Sequence, residues 1–471
     1  MAAMRVAVIG TGIAGSAAGL AFARAGNEVT VCDRVDPPAD GWSADEIFER
    51  WQSPWIGQFR QPHNFLGLGR AVLREELPDV YSGLRACGAT EVDQTSFLSD
   101  ADPEPGDEDL ATIACRRPIF DAALRRALIA QPGITLQVAE VTGLRARARA
   151  SGVHVTGAVL RTGETLDTDL VVDGSGRASR AATWLADGGA VIPRTASTEC
   201  GLLYYSRHYR VREDAPMPGY ASLLGGPRGD LGYLAYAVFI GDNRTFCLCI
   251  MPPVWDRPFR QLRDEAAFQR VATLLPGMTG WLDVSEPASS VFAMGQLRNT
   301  LNTALDIDSP AVTGFVSIGD ARCHTNPTFA FGASLSLWQA VRLASLAGSA
   351  ADDRDLVRSF EAEVALDAAE RFAAVSAEDA ERARHWSGEP IDPADPQACP
   401  ALFLRHVVYR VAVGDSELLR VVARRINALD PVNRLGQRTD LLERALARYQ
   451  EMQPSLPPAP PRSQLLAALN T

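Results

Sequence analysis

The chain contains no lysine: all 46 of its permanently basic side chains are arginines. That absence excludes Schiff-base chemistry on a lysine and any lysine nucleophile or acid. Metal-type clustering is missing as well. The eight cysteines are scattered without a CxxC, and the six histidines form neither HxH nor HExxH, so no metal centre is expected. Cys247 and Cys249 alternate on a strand-like segment and read as small core hydrophobes. Dispersed thiols without a secretory leader fit a reducing cytoplasm, which is the expected location. Excess positive charge is lacking too. A formal net charge of -11 and a pI near 5.2 argue against general attraction to nucleic acid or anionic membrane. The stretch from Val6 to Ala23 approaches the length of a membrane span. Its spaced glycines and the opening Val6-Ala7-Val8-Ile9 fit a buried strand, turn and helix better.

What is present is ordinary for a globular protein. At 471 residues, 46% apolar and 22% charged, the chain has room for two or three cooperating domains. Residues 5 to 33 read as strand, glycine turn, helix and strand. Trp42, Trp51 and Trp55 follow in what reads as loops and short helices. The spacing of Leu66, Leu68, Val72, Leu73 and Leu77 predicts a helix reaching Ala86, and Ile119 to Ile129 predicts another. The acidic tract Asp100 to Asp109 reads as a solvated loop. From about 190 to 300, strand-like runs dominate (Gly201 to Val211, Tyr233 to Ile250), with Gly225-Gly226-Pro227 as a turn. Beyond Ala340 the sequence turns helical to about Glu451, and Pro454 to Pro461 reads as an extended arm. The expected class is α/β: a Rossmann-type domain (1–189 and 305–350), an inserted antiparallel sheet for substrate (190–304), and a C-terminal helical region (351–471).

The chemistry-bearing segments begin with Gly10-Thr11-Gly12-Ile13-Ala14-Gly15 between a strand and a helix. Gly10 permits the tight turn, Gly12 lets the backbone approach a pyrophosphate, and Gly15 lets helix and sheet pack closely. The helix N-terminus, at Ile13 and Ala14, offers free N–H groups to phosphates. The second strand ends in Asp33-Arg34, placing an acid where ribose hydroxyls are bound. This motif alone does not separate FAD from NAD. Val316-Ser317-Ile318-Gly319-Asp320, then Asn326-Pro327 and Gly332-Ala333, add a buried strand ending in Gly-Asp and a helix start. A helix beginning near Gly332 would aim its positive end at a flavin ring.

With these segments in order, the chain resembles the FAD-dependent monooxygenases of the aromatic-hydroxylase fold. The resemblance covers roughly residues 5 to 345. It implies that Asp320 meets the ribityl chain, that Pro327 and Gly332 lie beside the flavin ring, and that Arg117, in Arg117-Pro118 with Phe120-Asp121, contacts the flavin. The segment Arg60-Gln61-Pro62-His63 resembles one on the substrate side of the flavin. The loop Asp173-Gly174-Ser175-Gly176-Arg177-Ala178-Ser179-Arg180 has Ser175 where the aromatic hydroxylases have Asp. It is more similar to epoxidases of the squalene-epoxidase and polyether types and to flavin halogenases. Cys323 likewise stands where His is usual, and Ala330 where Gly is frequent.

The resemblance implies a C4a-hydroperoxyflavin that passes one oxygen of O2 to a hydrophobic, polyketide-like or aromatic substrate, by epoxidation or hydroxylation. NADPH or NADH would reduce the flavin, directly or through a reductase. No nucleophile or triad is expected; Arg60 and His324 are candidates to tune the reaction, and Tyr205, Phe239 and Phe329 to meet substrate. Halogenases are disfavoured by the missing lysine and by the lack of a WxWxIP segment. A flavin reductase of prenyl double bonds, or a non-catalytic escort protein on the same scaffold, are the alternatives.

Overall fold

Four consecutive apolar residues, Val6 to Ile9, require a strand covered on both faces. The computed structural model, which describes residues 3–98, 101–149, 152–191, 195–303, 311–452 and 459–470, places them at the centre of a sheet. β1 (Arg5–Ile9) is flanked on one side by β2 (Glu28–Asp33) and then Ile134–Val138. On the other side stand Leu170–Asp173 and then Phe315–Ser317, and all five strands are parallel. α1 (Ile13–Arg24) makes the crossover from β1 to β2. It is apolar nearly all round because it is enclosed between the sheet and the helices Arg117–Ala130 and Phe331–Ser349. Leu20 and Phe22 within it are fully buried, each contributing about 1.5–3 kcal/mol.

The second large sheet is antiparallel. Its order is Gly225–Asp230, Ala235–Ile240, Thr245–Met251, Tyr204–Val211 and Ser285–Pro287, with Phe292–Met294 also paired to Tyr204–Val211. Cross-strand register sorts its side chains into two faces. His208, Cys247 and Phe239 share one face with Ser206, Cys249 and Ala237. Tyr205, Ile250 and Tyr236 share the other with Tyr209, Phe246 and Ile240. The buried pair Arg116–Asp242, 2.6 Å apart, ties this sheet to the start of the Arg117–Ala130 helix.

Several expectations are corrected. Gly225-Gly226-Pro227 opens an edge strand instead of forming a turn. An edge tolerates the missing N–H of Pro227, and a Cβ on Gly226 would collide with Val238. The helix foreseen from Leu66 to Ala86 is two, Gly67–Glu75 and Pro78–Ala86, because Pro78 starts a new helix instead of continuing the old one. The acidic tract is, as expected, an exposed loop over 101–109, held at its base where Arg420, on the helix Ser416–Ile426, donates to Asp107 at 3.0 Å and to Glu104 at 2.5 Å. The arm expected from Pro454 lies largely outside the described residues. After it a last helix, Arg462–Leu469, docks against the Tyr205 face with Leu465 and Leu469 buried. Among the described residues no helix is long and apolar enough to cross a membrane.

Candidate cofactor cleft

The glycine turn after β1 is held by contacts only glycine permits. Gly10 has φ 90°, and a Cβ there would press on the Gly174 carbonyl oxygen at 2.9 Å. A Cβ on Gly15 would collide with the Gly10 carbonyl, so Gly15 packs the turn and does not face the cleft. Gly12, the N-cap of α1, differs. The nearest atom to a Cβ there is Nη2 of Arg117, 4.0 Å away. Open space therefore lies in front of the first turn of α1, where the N–H groups of a helix lack partners.

That space belongs to a cleft enclosing about 1720 Å³, counting its open mouth. At the end of β2, Asp33 Oδ2 accepts from the backbone N–H of Thr11 at 2.6 Å and from its hydroxyl at 2.5 Å. The carboxylate thus braces the turn while still lining the cleft. The guanidinium of Arg34 lies 3.9 Å over the ring of Trp55, closing this end. Sequence reasoning named Arg34 but assigned Trp55 no partner; a stacking pair between distant loops leaves no local pattern.

Arg117 lines the cleft beside Gly12 and is fixed by two partners. Its Nε donates to Asp121 at 2.7 Å, and its Nη1 donates to His63 Nε2 at 3.3 Å. The second bond, with His63 Nδ1 donating to the Gln61 carbonyl at 2.9 Å, assigns the neutral tautomer of His63. Burial, reinforced by Arg117, pushes the His63 pKa down to about 3. Burial likewise raises the Asp121 carboxyl, against the pull of Arg117.

At the other end, Gly319 and Asp320 follow the Phe315–Ser317 strand. Gly319 has φ 59° and sits under the Phe331–Ser349 helix, its N–H donating to Gln339 at 2.8 Å. Asp320 lines the cleft, and a Cβ on Gly332 would come 3.2 Å from its Oδ1, so Gly332 keeps this approach clear. The helix starts at Phe331, with Gly332 and Ala333 in its first turn facing the cleft. Its N-cap Ala330 has φ 57°, a conformation that favours glycine. His324 and Pro327 also line the cleft. Nδ1 of His324 donates to the Thr325 carbonyl at 3.0 Å, leaving Nε2 buried without a partner. Burial lowers the pKa of this histidine and keeps it neutral.

The turn carrying Pro327 is pinned from a remote helix, Asp353–Trp386. Asp379 accepts from Asn326 at 2.7 Å and Asn299 at 2.8 Å, and the Tyr204 hydroxyl donates to Asn326. Asp379 was not foreseen, because nothing local marks a single acid among the many on that helix. The loop after Leu170–Asp173 is organised by a buried carboxylate. Asp173 accepts from Ser175 Oγ at 2.5 Å and Ser179 Oγ at 2.6 Å, so the serine at position 175 has a structural partner.

The remaining candidates divide. Phe239 lines the cleft. Tyr205 does not: it is on the opposite face of the sheet, packed among Tyr209, Phe268 and Leu465. Its neighbour Tyr204 points toward the cleft side, the one-residue difference that strand alternation imposes. Phe329 packs against Phe331 and under Arg405, behind the Pro327 turn. Arg60 does not line the cleft. It donates to the carbonyls of Phe48, Glu49 and Trp51, capping the helix Ala44–Arg50. Of its segment, His63 and Gln61 reach the cleft instead. Among the described residues no cluster of three or more metal-type ligands occurs.

A family model described as Glucose inhibited division protein A matches residues 5–194, the segment holding β1, α1, β2 and Leu170–Asp173. No curated protein matches the chain. Among solved structures, the flavin-dependent brominase Bmp2 is similar at 16% identity, over 95% of this chain and 99% of that one, with a TM-score of 0.61. PqsL, a probable FAD-dependent monooxygenase from Pseudomonas aeruginosa, is similar at 14% identity, over 85% and 99%, with a TM-score of 0.57. The tetrameric form of 2-methyl-3-hydroxypyridine-5-carboxylic acid oxygenase gives 16% identity, 85% and 96%, and 0.54. At such identities the likeness is one of fold: the chain has the architecture these flavin-dependent proteins share.

Proposed function

We propose that the chain is an FAD-dependent monooxygenase acting on a hydrophobic, aromatic or polyketide-like small molecule. The observation that carries this reading is the convergence of two helix N-termini on one cleft. α1 presents its free N–H groups with Gly12 open and Arg117 beside it, and the Phe331–Ser349 helix presents Gly332 and Ala333. The donor set fits FAD. Gly12, Ile13, Ala14 and Arg117 would hold the pyrophosphate, Asp33 and Arg34 the adenosine, and Asp320 the ribityl chain. Pro327, Gly332 and Ala333 would flank the ring, the helix dipole favouring negative charge on its near edge.

When bound, FAD supplies two-electron redox chemistry and the activation of O2. The chain's own residues position and insulate. Phe239 offers an apolar face of the sheet to substrate at the cleft. His324, neutral with Nε2 free, can accept a proton at that nitrogen and return it. Within this reading the division of labour follows segments 1–189 and 305–350 for cofactor, 190–304 for substrate and 351–471 for the cover. The reaction is an epoxidation or a hydroxylation, in a cytoplasmic setting, with the Ser175 loop and Cys323 in the epoxidase-like form. The missing lysine disfavours the halogenating alternative.

The test is the visible spectrum of the purified protein before and after reconstitution with FAD, then anaerobic addition of NADPH and NADH. A bound flavin spectrum is expected, and its absence after reconstitution refutes the reading. Bleaching by either nucleotide identifies a self-contained monooxygenase. A yellow protein that stays oxidised identifies one served by a flavin reductase or gated by its substrate.

A further inference from the structure

Asn64 is 5% exposed and lines the cofactor cleft, yet among the described residues no group hydrogen-bonds to its side-chain amide. Nor is that amide sealed inside the protein, so its free donor and acceptor open onto the cleft. Its neighbours in the chain hold it there. His63, before it, is tied from both sides, by the Gln61 carbonyl at 2.9 Å and by Arg117 Nη1 at 3.3 Å. Phe65, after it, exchanges both backbone hydrogen bonds with Ile113, and its ring stacks on that of Phe120 at 3.8 Å. The N–H of Leu66 then donates to Ser334 Oγ at 3.0 Å. An amide on so firmly tied a segment is in place before any ligand arrives, and such preorganisation is what makes a hydrogen bond to a ligand effective.

The same ties fix which part of the cleft Asn64 meets. Arg117 marks the end where Gly12 opens the first turn of α1, and Ser334 follows Ala333 at the start of the Phe331–Ser349 helix. The segment from His63 to Leu66 therefore runs from one helix N-terminus to the other, with Asn64 between them. Of the antiparallel sheet, only Phe239 lines the cleft among the described residues. Asn64 thus stands along the path of the cofactor, past the groups assigned to its pyrophosphate, and not on the sheet that faces substrate.

We infer that the Asn64 amide is a hydrogen-bonding partner of the pyrimidine half of the flavin and sets the potential at which the ring is reduced. A primary carboxamide offers two N–H donors and one carbonyl acceptor, and the pyrimidine half alternates C=O with N–H, so the two match in kind. Reduction adds negative charge to that half of the ring, and a hydrogen bond to a charged acceptor is about twice as strong as one to a neutral acceptor. A donor held there favours the reduced ring over the oxidised one and raises the potential. This inference rests on the reading of the cleft as an FAD site.

The test uses the full chain and two probes, FAD and ADP, the second carrying adenosine and pyrophosphate but no ring. N64A should bind FAD roughly three- to tenfold more weakly than the parent, the range for one neutral hydrogen bond, while its affinity for ADP stays within about twofold. The second readout is the reduction potential of the bound flavin, taken anaerobically against a dye of known potential. N64A should lower it by about 30 mV, a tenfold loss of preference for reduced over oxidised flavin in a two-electron couple. N64D, which puts a carboxylate where the donor stood, should lower it further, and N64S, which keeps one donor, should fall between N64A and the parent. A potential unchanged in N64A and N64D overturns the inference, and so does an equal loss of affinity for FAD and ADP, which would make Asn64 a part of the fold alone. A parent protein that binds no FAD, whatever it does with ADP, refutes the flavoprotein reading and this inference with it.

Discussion

The guanidinium of Arg117 stands over Gly12: Nη2 is 4.0 Å from where a Cβ on that glycine would be. Apart from the backbone next to it in the chain, no other atom of the described residues comes within 4 Å of that position, whereas a Cβ on Gly15 would strike the Gly10 carbonyl. The two glycines of one motif thus serve different ends, one keeping space for a ligand and the other allowing the fold. G12A is expected to fold with stability within about 0.5 kcal/mol of the parent, since alanine meets nothing there and only a modest capping penalty applies. Its affinity for FAD should fall by more than roughly tenfold because the methyl occupies the phosphate approach. G15A should lose about 1–3 kcal/mol of stability through overpacking. Urea denaturation and FAD titration on the two variants check this, and equal effects of both on stability would refute the division.

Arg117 also has two tasks that can be separated. Its bond to Asp121 neutralises a buried acid, and its free edge faces the cleft. R117M should therefore weaken FAD binding by roughly ten- to a hundredfold and destabilise the protein, because Asp121 is left unpaired. The double variant R117M/D121N should regain most of the lost stability without regaining FAD affinity. Recovery of both together would show that Arg117 acts through the fold alone.

How far the sequence could be read depended on whether a residue's role was local. The turn from Gly10 to Gly15, Asp33, the strand before Gly319 and the helix at Phe331 follow from neighbours in the chain, and the structure places them as their spacing implies. Strand alternation was legible in Gly201 to Val211, but which face met the cleft was not. The choice of Tyr205 over Tyr204 turned on a register fixed by Thr245–Met251, far along the chain. Asp379 carries no local mark at all. Its significance arises from what a distant helix brings beside the Pro327 turn.

Arg60 illustrates the same point through a variant. Its guanidinium caps the helix Ala44–Arg50 by donating to Phe48 at 2.8 Å and to Glu49 and Trp51 at 3.1 Å each. R60A should cost about 1–3 kcal/mol, as expected when several carbonyls at a helix C-terminus lose a charged donor. Its FAD affinity should stay within roughly twofold of the parent, because an interaction outside the cleft has no differential contact with the ligand. Thermal unfolding and flavin titration measure the two effects, and a large loss of affinity with intact stability would return Arg60 to the site.

Two buried neutral histidines should make the protein acid-sensitive above the range where carboxylates titrate. His63 is held at about 3, and His208, whose Nε2 donates to the Arg60 carbonyl at 3.0 Å, at about 4; burial is the main cause for both. In the unfolded chain both return to about 6.5. Folded-state values below the unfolded value mean that stability is complete above pH 6.5 and is lost as the unfolded chain takes up protons. The loss continues down to the folded values, about 4 for His208 and about 3 for His63. Between pH 6 and 5 the slope approaches about 1.4 kcal/mol per pH unit for each histidine. Replacing one histidine at a time isolates its share of the slope from that of the other titrating groups. H63Q and H208Q replace each ring with an amide that can still donate to the same carbonyl but does not titrate. Each variant should flatten the stability–pH curve between pH 6 and 5 by about 1 kcal/mol per unit, whatever it does to stability at pH 8. Denaturant titrations across that interval measure the slope directly. A slope unchanged in both variants would mean that these rings are protonated in the folded protein. The hydrogen bond from Arg117 to His63 would then be impossible, since a charged imidazole has no lone pair to accept it.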